Sequence, residues 1–319
     1  MSTHDGVSAV ADASAWKPDL CIYHGSCDDG FGAAWAIWRR WGNEIAYVPG
    51  VYGKPLPDVE GKNVLFVDFS AKRAEIDAMA HVAKSIVIID HHKTAEEDLA
   101  PFKFMPGDEM DYAVRAEDIP GLLGLNAMSA WPPVIAWFDV SRSGAVMAWD
   151  FAHRIPRNDA PPAMLALIQD RDLWRFSFGD RTRQFSAALR TYPMTFDVWD
   201  RIAADPDALV TQGSAILRSH NANIQKFIKD TYWDYVGGYL VPVVNVPYHY
   251  ASDTAHALLA AFPEALFTAC WFRRGDGRVQ WSLRSEDGRM DVSEIAKRQG
   301  GGGHRNAAGF QVAPGREIA

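Results

Sequence analysis

The sequence predicts an α/β fold, with a mostly parallel, doubly wound sheet joined by a helical linker to a second, smaller α/β domain. Short apolar runs recur at Leu20–Tyr23, Val64–Val67 and Ile86–Ile89. Runs of this length without a polar residue are typical of strands that are buried on both faces, as in a parallel sheet. Helical patterns separate these runs, which indicates β-α-β units. A long helical pattern over residues 205–232 then divides the chain.

The remaining elements of the first domain alternate in the same way. We expect strands at Glu44–Val48 and Val134–Phe138, and helices at Ala33–Trp41, Ala71–Ala83 and Ser143–Phe151. The stretch Ala100–Pro133 interrupts this alternation, because it is weakly patterned and rich in proline. A loop of this length is uncommon and often functional. This stretch is compatible with three roles: a lid, a dimer contact, or a surface insertion without a function.

The second domain shows a shorter version of the same pattern. We expect strands at Tyr239–Val244, Phe267–Phe272 and Val279–Arg284, and a helix at Thr254–Ala261. A length of 319 residues also favours two domains, since it exceeds what one hydrophobic core usually supports. The predicted division is a disordered tail at 1–18, a first domain at 19–204, a helical linker at 205–236 and a second domain at 237–319.

Composition indicates a cytoplasmic protein that binds neither membranes nor duplex nucleic acid. No apolar run approaches the length of a membrane span, and residues 1–17 lack the continuous apolar stretch of a signal peptide. The three cysteines have no disulfide-framework spacing, which fits a reducing compartment. The net charge of −8 argues against a duplex-binding surface, which needs a basic stripe. The net charge does not exclude a small nucleotide as a substrate, because a few local groups can neutralise its phosphate charge.

The most informative segment is Ile88–Thr94, in which a buried strand ends on Asp90, His91 and His92. Polar groups at the carboxyl end of such a strand lie where open α/β sheets bind ligands. An aspartate followed by two histidines offers metal ligands rather than packing groups. Two adjacent histidines without further ligands are often found on a protein surface. The metal interpretation therefore depends on the additional segments described next.

Three further segments place carboxylates or histidines at the ends of apolar runs. These residues are His24, Asp28, Asp29, Asp68, Asp170 and Asp172. An aspartate after a strand commonly caps the next helix. Capping alone does not readily explain four apolar runs in one domain that all end on carboxylates. Carboxylates that lie close together repel one another unless cations neutralise them. The sequence therefore predicts a metal site.

The ligand types indicate which metal binds. Carboxylates with one or two imidazoles suit Mn²⁺, with Mg²⁺, Fe²⁺ or Co²⁺ as substitutes. Zinc is less favoured, because Cys21, Cys27 and Cys270 form no Cys-x-x-Cys motif. This many ligands exceed the need of one ion, so we expect two Mn²⁺ ions that clamp both reacting oxygens of a phosphoester.

A glycine-rich segment at Gly300–Phe310 provides a second ligand-binding signal. Its four consecutive glycines precede His304, Arg305 and Asn306. Glycine lets the backbone approach a ligand closely and offer N–H groups to an anion. Arginine suits bidentate phosphate contacts, whereas a flexible linker would contain serine or threonine. The segment therefore predicts phosphate or carboxylate binding.

Together these motifs resemble the DHH phosphoesterase superfamily. The resemblance covers about residues 18–312, and the residues that carry it are His24, Asp28, Asp29, Asp68, Asp90, His91, His92, Asp170 and the Gly-Gly-Gly-His element, which is similar to the DHH-associated C-terminal domain. The chain looks most like the two-domain oligoribonuclease and nucleotide phosphodiesterase branch. The superfamily also contains single-strand DNA exonucleases and manganese-dependent pyrophosphatases.

The resemblance implies a role for each matching residue. The implied metal ligands are His24, Asp28, Asp29, Asp68, His91 and Asp170, with Asp68 as the bridge between ions. The implied catalytic residues are Asp90, which orients His91 or completes the metal shell, and His92, which faces the phosphate. The implied substrate-binding residues are Arg284, Gly302, Gly303, His304, Arg305 and Asn306. Ser143 matches a segment of the relatives that starts a helix near the site.

The sequence departs from the family pattern at one point. Many relatives carry two aspartates separated by one residue, but here Asp28 and Asp29 are adjacent and Gly30 follows. Adjacent side chains point in different directions, so we favour Asp29, which directly precedes the glycine that opens the helix. Between Asp170 and Asp172 we favour Asp170. Whether one or two ions bind is left open.

The expected activity is hydrolysis of phosphodiester bonds in short single-stranded RNA or small nucleotides, by a water that two metal ions activate. An exopolyphosphatase or pyrophosphatase-like hydrolase is an alternative, because the same metal site serves it. A catalytically degenerate, nucleotide-binding regulator is a third hypothesis, which the adjacent Asp28 and Asp29 keep open. The sequence does not determine the physiological substrate, the direction of degradation or the oligomeric state, and a homodimer is compatible with it.

Overall fold

A computed structural model describes residues 16–104, 114–153 and 160–313, and it has the α/β fold that the sequence predicts. One sheet has five parallel strands, and the other has six strands in mixed orientation. Most of the predicted tail at residues 1–18 lies outside the described residues. In the part of the chain that the structure describes, no helix combines the length and apolar character needed to cross a membrane.

The first sheet has the strand order β2-β1-β3-β4-β5. Its strands are β1 (Leu20–His24), β2 (Ala46–Gly50), β3 (Asn63–Val67), β4 (Ser85–Asp90) and β5 (Val134–Phe138). Nearly all residues of β3, β4 and β5 are buried, as expected for strands that are covered on both faces. The strand order reverses between β1 and β3, and doubly wound sheets bind ligands at such a switch point.

The α-helices of the described residues alternate with the strands and also form a helical region before the second sheet. They are α1 (Asp28–Trp41), α2 (Arg73–Ala80), α3 (Lys93–Asp98), α4 (Ile119–Met128), α5 (Gly144–His153), α6 (Ala163–Asp172), α7 (Asp180–Leu189), α8 (Phe196–Ala204), α9 (Pro206–Phe227), α10 (Tyr248–Ala261) and α11 (Val292–Arg298). The long helix α9 covers most of the predicted helical stretch 205–232, whereas β6 (Tyr232–Val236) occupies the end of the predicted linker 205–236. It begins at Pro206, and the Asp205 side chain accepts a hydrogen bond from Ala208 N at 3.1 Å.

The second sheet has the strand order β10-β11-β9-β8-β7-β6. Its strands are β6 (Tyr232–Val236), β7 (Tyr239–Asn245), β8 (Thr268–Arg273), β9 (Val279–Arg284), β10 (Gly302–His304) and β11 (Ala307–Val312). Residues of α11 join Leu283 and Phe310 in one hydrophobic core, and residues of α10 join Val244 and Cys270 in another. The two helices therefore cover opposite faces of this sheet, as the alternation of side chains along a strand requires.

The chain forms two compact units. The first unit consists of the described residues within 1–89, 102–137 and 144–161, and the second of those within 90–101, 138–143 and 162–319. Helices α6, α7 and α8 belong to the second unit, although the predicted first domain extends to residue 204. Because a compact unit need not be a folding domain, the predicted domain boundaries stay a prediction.

The stretch Ala100–Pro133 is not the continuous loop that the sequence suggests, because it contains α4. Apolar residues lie on several sides of this helix, so it lacks the periodic pattern from which helices are predicted. Leu125 and Met128 are 60% and 86% exposed, and Trp131 after the helix is 54% exposed. Residues 105–113 of the stretch lie outside the described residues.

Candidate functional site

Three neighbouring strands of the first sheet end in one row. The strand register pairs Tyr23 of β1 with Val67 of β3, and Val67 with Ile89 of β4. The next residues along these strands all belong to the predicted site, namely His24, Asp68 and Asp90. Since β1 and β3 flank the switch point, strand pairing places these positions at the edge where doubly wound sheets bind ligands.

Within the first unit, His24 and Asp68 lie close enough to bind the same ion. His24 Nδ1 is 3.6 Å from Asp68 Oδ2, and the Asp68 side chain is 1% exposed. The backbone of Asp68 has φ of 55°, which costs a non-glycine residue about 1–3 kcal/mol. Its N–H donates to Ile89 O at 2.9 Å. The surrounding structure therefore holds Asp68 in a strained conformation, as is frequent at functional sites.

The start of α5 holds the carboxylate of Asp29. Gly144 N donates to Asp29 Oδ2 at 2.6 Å, and Ala145 N donates to Oδ1 at 3.2 Å. Asp29 is 1% exposed, whereas Asp28 is partly exposed. Two backbone N–H groups at a helix N-terminus stabilise a charged carboxylate. Each oxygen can still accept another contact, so Asp29 keeps some capacity to bind an ion.

Two glycines allow the polar groups of the first unit to approach one another. A Cβ on Gly144 would lie 2.7 Å from Asp68 Oδ1 and 2.8 Å from Asp68 Cγ. A Cβ on Gly30 would lie 2.7 Å from His24 Cβ. A side chain at position 30 would therefore collide with His24, so the structure favours glycine at this position.

The structure adds a ligand candidate that the sequence analysis discounted. His24, Cys27 and Asp68 each offer a ligand atom, and these atoms lie within 4.8 Å of one another. Cys27 has no second cysteine at metal-binding spacing, but a single thiol can join a mixed site. Its place in the turn between β1 and α1, next to Asp28, is the sequence signal that points to it. Imidazole, carboxylate and thiol together form a donor set that fits a divalent ion.

In the second unit, Asp90 positions the histidines that follow it. Asp90 is buried, and its Oδ1 accepts hydrogen bonds from His91 N at 2.7 Å and His92 N at 3.2 Å. His92 Nδ1 lies 2.7 Å from the same oxygen. A charged carboxylate only accepts, so Nδ1 of His92 carries the proton that it donates to Asp90. Carboxylates orient metal-binding imidazoles in this way.

The second unit also brings three histidines together. The ring centroids of His91, His92 and His304 are 4.7, 4.7 and 4.8 Å apart. One ligand atom from each histidine lies within 4.8 Å of the others. Asp172 Oδ2 is 3.6 Å from His91 Nε2. We call these four residues the histidine cluster. The glycine segment thus contributes His304 to the same group as the Asp-His-His triplet.

Asp170 and Asp172 have different surroundings. Asp170 accepts hydrogen bonds from Ser177 N at 2.7 Å, from Phe178 N at 3.3 Å and from the Thr182 hydroxyl. Burial alone would raise the pKa of Asp170, but these hydrogen bonds hold the pKa below its usual value. Asp170 therefore organises the turn between α6 and α7, whereas Asp172 belongs to the histidine cluster. The choice of Asp170 as a metal ligand stays a prediction.

The glycine segment forms a hairpin of β10 and β11. Gly303 N donates to Thr94 Oγ1 at 3.2 Å, and a Cβ on Gly302 would lie 2.6 Å from that oxygen. A Cβ on Gly301 would lie 2.7 Å from Phe310 Cβ. These glycines therefore permit close approach of the protein's own chain. The predicted approach of a ligand to Gly302 and Gly303 stays a prediction.

The two side chains after His304 contact their own region of the second unit. Arg305 Nη2 donates to Arg289 O at 3.0 Å, and Arg305 Nη1 lies 3.7 Å from Asp291 Oδ2. Asn306 Nδ2 donates to Asp287 Oδ1 at 2.9 Å. These contacts stabilise the hairpin, and the predicted substrate-binding role of both residues stays a prediction.

Arg284, a predicted substrate-binding residue, lies in a partly buried basic cluster. Its Nη2 donates to Ser252 Oγ at 2.9 Å, and within the described residues its Nε has no hydrogen-bond partner. Arg171 Nη2 donates to Asp253 Oδ1 at 2.8 Å. Burial lowers the pKa of Arg284, and it lowers the pKa of Arg171 to about 10. Two partly buried guanidinium groups near one carboxylate leave excess positive charge, which suits an anionic ligand.

Comparison with known proteins places the chain in a family. No protein-family model matches it. Uncharacterized protein R106 of Acanthamoeba polyphaga mimivirus is 30% identical over 321 residues, which cover 92% of this chain and 67% of the viral protein. The chain belongs to the same family as this viral protein. Because the name of the viral protein states no activity, family membership assigns none to this chain.

Three solved structures resemble the chain weakly. A Helicobacter pylori G27 protein is 15% identical, with a TM-score of 0.39 and 94% of each chain covered. The pGpG-specific phosphodiesterase PggH from Vibrio cholerae is 12% identical, with a TM-score of 0.40 and coverage of 93% of this chain and 94% of PggH. An exopolyphosphatase-related protein from Bacteroides fragilis is 13% identical, with a TM-score of 0.41 and coverage of 94% and 89%. TM-scores below 0.5 do not establish a common fold.

Proposed function

We propose that this protein is a metal-dependent phosphoesterase that hydrolyses phosphodiester bonds of short oligoribonucleotides or small nucleotides. One observation carries the proposal. Three adjacent parallel strands end in register, and the residues that follow this row are His24, Asp68 and Asp90. Imidazole and carboxylate groups at the ligand-binding edge of a doubly wound sheet suit a divalent cation. The resemblance of the same residues to the DHH phosphoesterase superfamily supports phosphoester chemistry.

The proposed metal ligands come from the sequence prediction, with two adjustments that the geometry supports. His24, Asp29, Asp68 and His91 are kept. Because two backbone N–H groups of the α6–α7 turn and the Thr182 hydroxyl of α7 already donate to Asp170, we propose Asp172 as the carboxylate that α6 contributes. Asp28 and Cys27 complete the proposed set. We propose Mn²⁺ as the ion, since oxygen ligands dominate this set.

When bound, the cation would supply Lewis-acid activation of a water molecule and would neutralise charge on the phosphoryl oxygens. The chain itself contributes orientation. Asp90 holds the proton of His92 on Nδ1, so that Nε2 of this ring faces away from the carboxylate. Asp29 is fixed by the first N–H groups of α5, which keeps it charged and in place.

Substrate binding is proposed for the basic groups of the second unit. Arg284 Nε is a buried donor with no hydrogen-bond partner among the described residues, and a phosphate oxygen would satisfy it. His304 lies within the histidine cluster and can contact a phosphate of the same substrate. Because the net charge of −8 repels an anion, the attraction must come from local basic groups such as these. A small nucleotide with more than one phosphate would use both groups.

The test is a substrate panel with metal-stripped protein. After chelation, the protein is assayed with and without Mn²⁺ on RNA of two to five nucleotides, 3′,5′-bisphosphoadenosine, cyclic dinucleotides, cyclic AMP and polyphosphate. We expect Mn²⁺-dependent release of mononucleotides from the short RNA. Turnover of polyphosphate alone would keep the metal chemistry and reject the nucleotide substrate. Absence of metal-stimulated hydrolysis on every substrate would contradict the proposal.

Variants separate the metal site from the fold. Asp68→Asn is expected to lower turnover on the order of 100-fold or more, because it removes a metal-binding charge. The control is Asp77→Asn, whose carboxylate pairs with Arg73 on the surface of α2 and should leave turnover unchanged. Substantial activity of Asp68→Asn at saturating Mn²⁺ would refute the metal assignment.

A further inference from the structure

We propose that helix α4 and a groove beside it form a self-association surface, through which two copies of this chain make a symmetric dimer. The surface lies in the first unit and consists of Leu125, Met128 and Trp131 together with the groove. We call it the α4 surface. The inference concerns assembly, and it does not depend on the proposed function.

Helix α4 has two apolar sides, of which the protein covers one. On the covered side Ile119 is buried and Leu123 is half-buried. On the opposite side Gly121, Leu125 and Met128 follow at intervals of four and three residues, which places them in one row along the helix. All three are exposed. Since a helix that is apolar on all sides is normally buried on all sides, the exposed row fits a protein partner better than it fits water.

The backbone holds Trp131 in an exposed position just beyond α4. The N–H of Trp131 donates to Asn126 O at 2.9 Å. The Asn126 side chain in turn donates to Pro132 O at 3.3 Å and to Val134 O at 3.0 Å. Ala130 has φ of 54°, which is unfavourable for a residue other than glycine. The fold therefore fixes a large apolar side chain in water, although burial of tryptophan is strongly favourable.

A groove of about 520 Å³ lies on the flank of α4. Pro120 and Leu123 of the helix line it, together with the buried Trp16 and with residues at the amino ends of β3 and β4. This volume is within the range of pockets that enclose drug-sized molecules, so the groove has room for a tryptophan side chain. The first unit thus carries both a protruding apolar side chain and a recess that can receive one.

Antiparallel packing of two α4 helices would bring these features together. Trp131 follows the end of the helix, whereas Pro120 and Leu123 at the groove lie near its start. With a two-fold axis near Leu125, Trp131 of each copy lies beside the groove of the other copy. Leu125 then faces its counterpart across the axis. A Cβ on Gly121 would meet nothing within 4 Å, so this position leaves space for the second helix to approach closely.

Charge favours a second copy as the occupant of the α4 surface. The net charge of −8 makes two copies repel each other over most of their surface. Residues 119–138 contain no charged side chain, so two copies meet there without repulsion between like charges. The groove is lined by equal numbers of basic and acidic side chains, namely Lys17, Lys84, Asp19 and Glu44. An anionic membrane would instead need clustered lysine or arginine beside the apolar residues.

The groove and the candidate metal site lie at opposite ends of the strands of the first sheet. Asn63 and Ser85, which line the groove, begin β3 and β4. Asp68 instead follows the last residue of β3. A dimer through the α4 surface therefore leaves the carboxyl ends of these strands open. We expect monomeric variants to keep the Mn²⁺-dependent turnover of the wild type.

Sedimentation velocity of the full-length protein over a range of concentrations measures the association. We expect the wild type to sediment with twice the mass of one chain at about 10 µM. Leu125→Glu places two carboxylates close together at the axis, so the dimer dissociation constant should rise at least about 100-fold. Trp131→Ala empties both grooves and should raise this constant at least about 10-fold. The matched control is Tyr235→Glu in β6, since Tyr235 and Leu125 are both 60% exposed, and it should stay dimeric.

Three results would overturn the inference. The first is a wild type that stays monomeric at this concentration, and its flotation with vesicles of phosphatidylcholine and phosphatidylglycerol would then assign the α4 surface to a membrane. The second is a folded Leu125→Glu variant, as judged by circular dichroism, that dimerises like the wild type. The third is dissociation of Tyr235→Glu alone, which would assign the interface to β6. If the dimer forms through the α4 surface but no substrate is hydrolysed, the proposed function fails and the interface stands.

Discussion

Gly144→Ala tests how closely the start of α5 approaches the candidate metal site. A Cβ at this position would lie 2.7 Å from Asp68 Oδ1 and 2.8 Å from Asp68 Cγ. Carbon atoms in favourable contact are about 3.5–4.0 Å apart, so the overlap is roughly 1 Å. Asp68 cannot yield easily, because its N–H donates to Ile89 O and its φ of 55° is already strained.

The expected cost follows from two opposing effects. Overpacking of this kind destabilises a protein by about 1–3 kcal/mol. Replacing glycine by alanine in a helix contributes at most about 1 kcal/mol in the other direction, and less at the first helical position. We expect the free energy of unfolding to fall by about 1–2 kcal/mol. A shift of about 1 Å also breaks a metal bond near 2 Å, so Mn²⁺ affinity should fall by at least roughly 10–100-fold.

Urea unfolding of the metal-free protein, followed by circular dichroism, measures the first effect, and calorimetric titration with Mn²⁺ measures the second. The matched control is Gly124→Ala in α4, where an added Cβ meets nothing within 4 Å. This variant should gain about 0.5–1 kcal/mol and bind Mn²⁺ like the wild type. If Gly144→Ala is as stable as Gly124→Ala and keeps its Mn²⁺ affinity, the steric reasoning is wrong.

Three further predictions concern buried ionisable groups, and urea unfolding at several pH values checks all of them. Asp170→Asn should lower the free energy of unfolding by about 2–4 kcal/mol at pH 7, because asparagine cannot satisfy all three donors. The folded pKa of Asp170 lies below its usual value, so this difference is present at neutral pH and should vanish as the pH falls below about 4. Burial lowers the pKa of His153 to about 4, so the wild type should lose up to roughly 3 kcal/mol as the pH falls from about 6.5 to 4, and His153→Gln should flatten this dependence. Asp253→Asn removes the ion-pair partner of the largely buried Arg171 and should lower the free energy of unfolding by about 3–5 kcal/mol. Asp207→Asn breaks the exposed ion pair with Arg181 and should lower it by less than about 1 kcal/mol. Equal losses in the two variants would contradict the role of burial.

Local patterns predicted the first sheet well. The expected strands Val64–Val67, Ile86–Ile89 and Val134–Phe138 match β3, β4 and β5 to within a residue at each end. Strands buried on both faces exclude polar residues, so their signal is continuous in the sequence. Helix α4 was missed because its exposed apolar residues produce no periodic pattern. The hairpin of β10 and β11 was missed because glycine carries no strand signal.

The sequence by itself determined which chemical groups are available at the ligand-binding edge. His24, Asp68 and Asp90 follow apolar runs, and parallel strands bring their carboxyl ends to one edge of a sheet whatever the details of packing. The tertiary structure alone decided which groups meet. It placed His304 beside His91, turned Asp172 rather than Asp170 toward them, and set Gly144 against Asp68. These contacts join residues far apart along the chain, and their distances depend on side-chain packing, which no local pattern encodes.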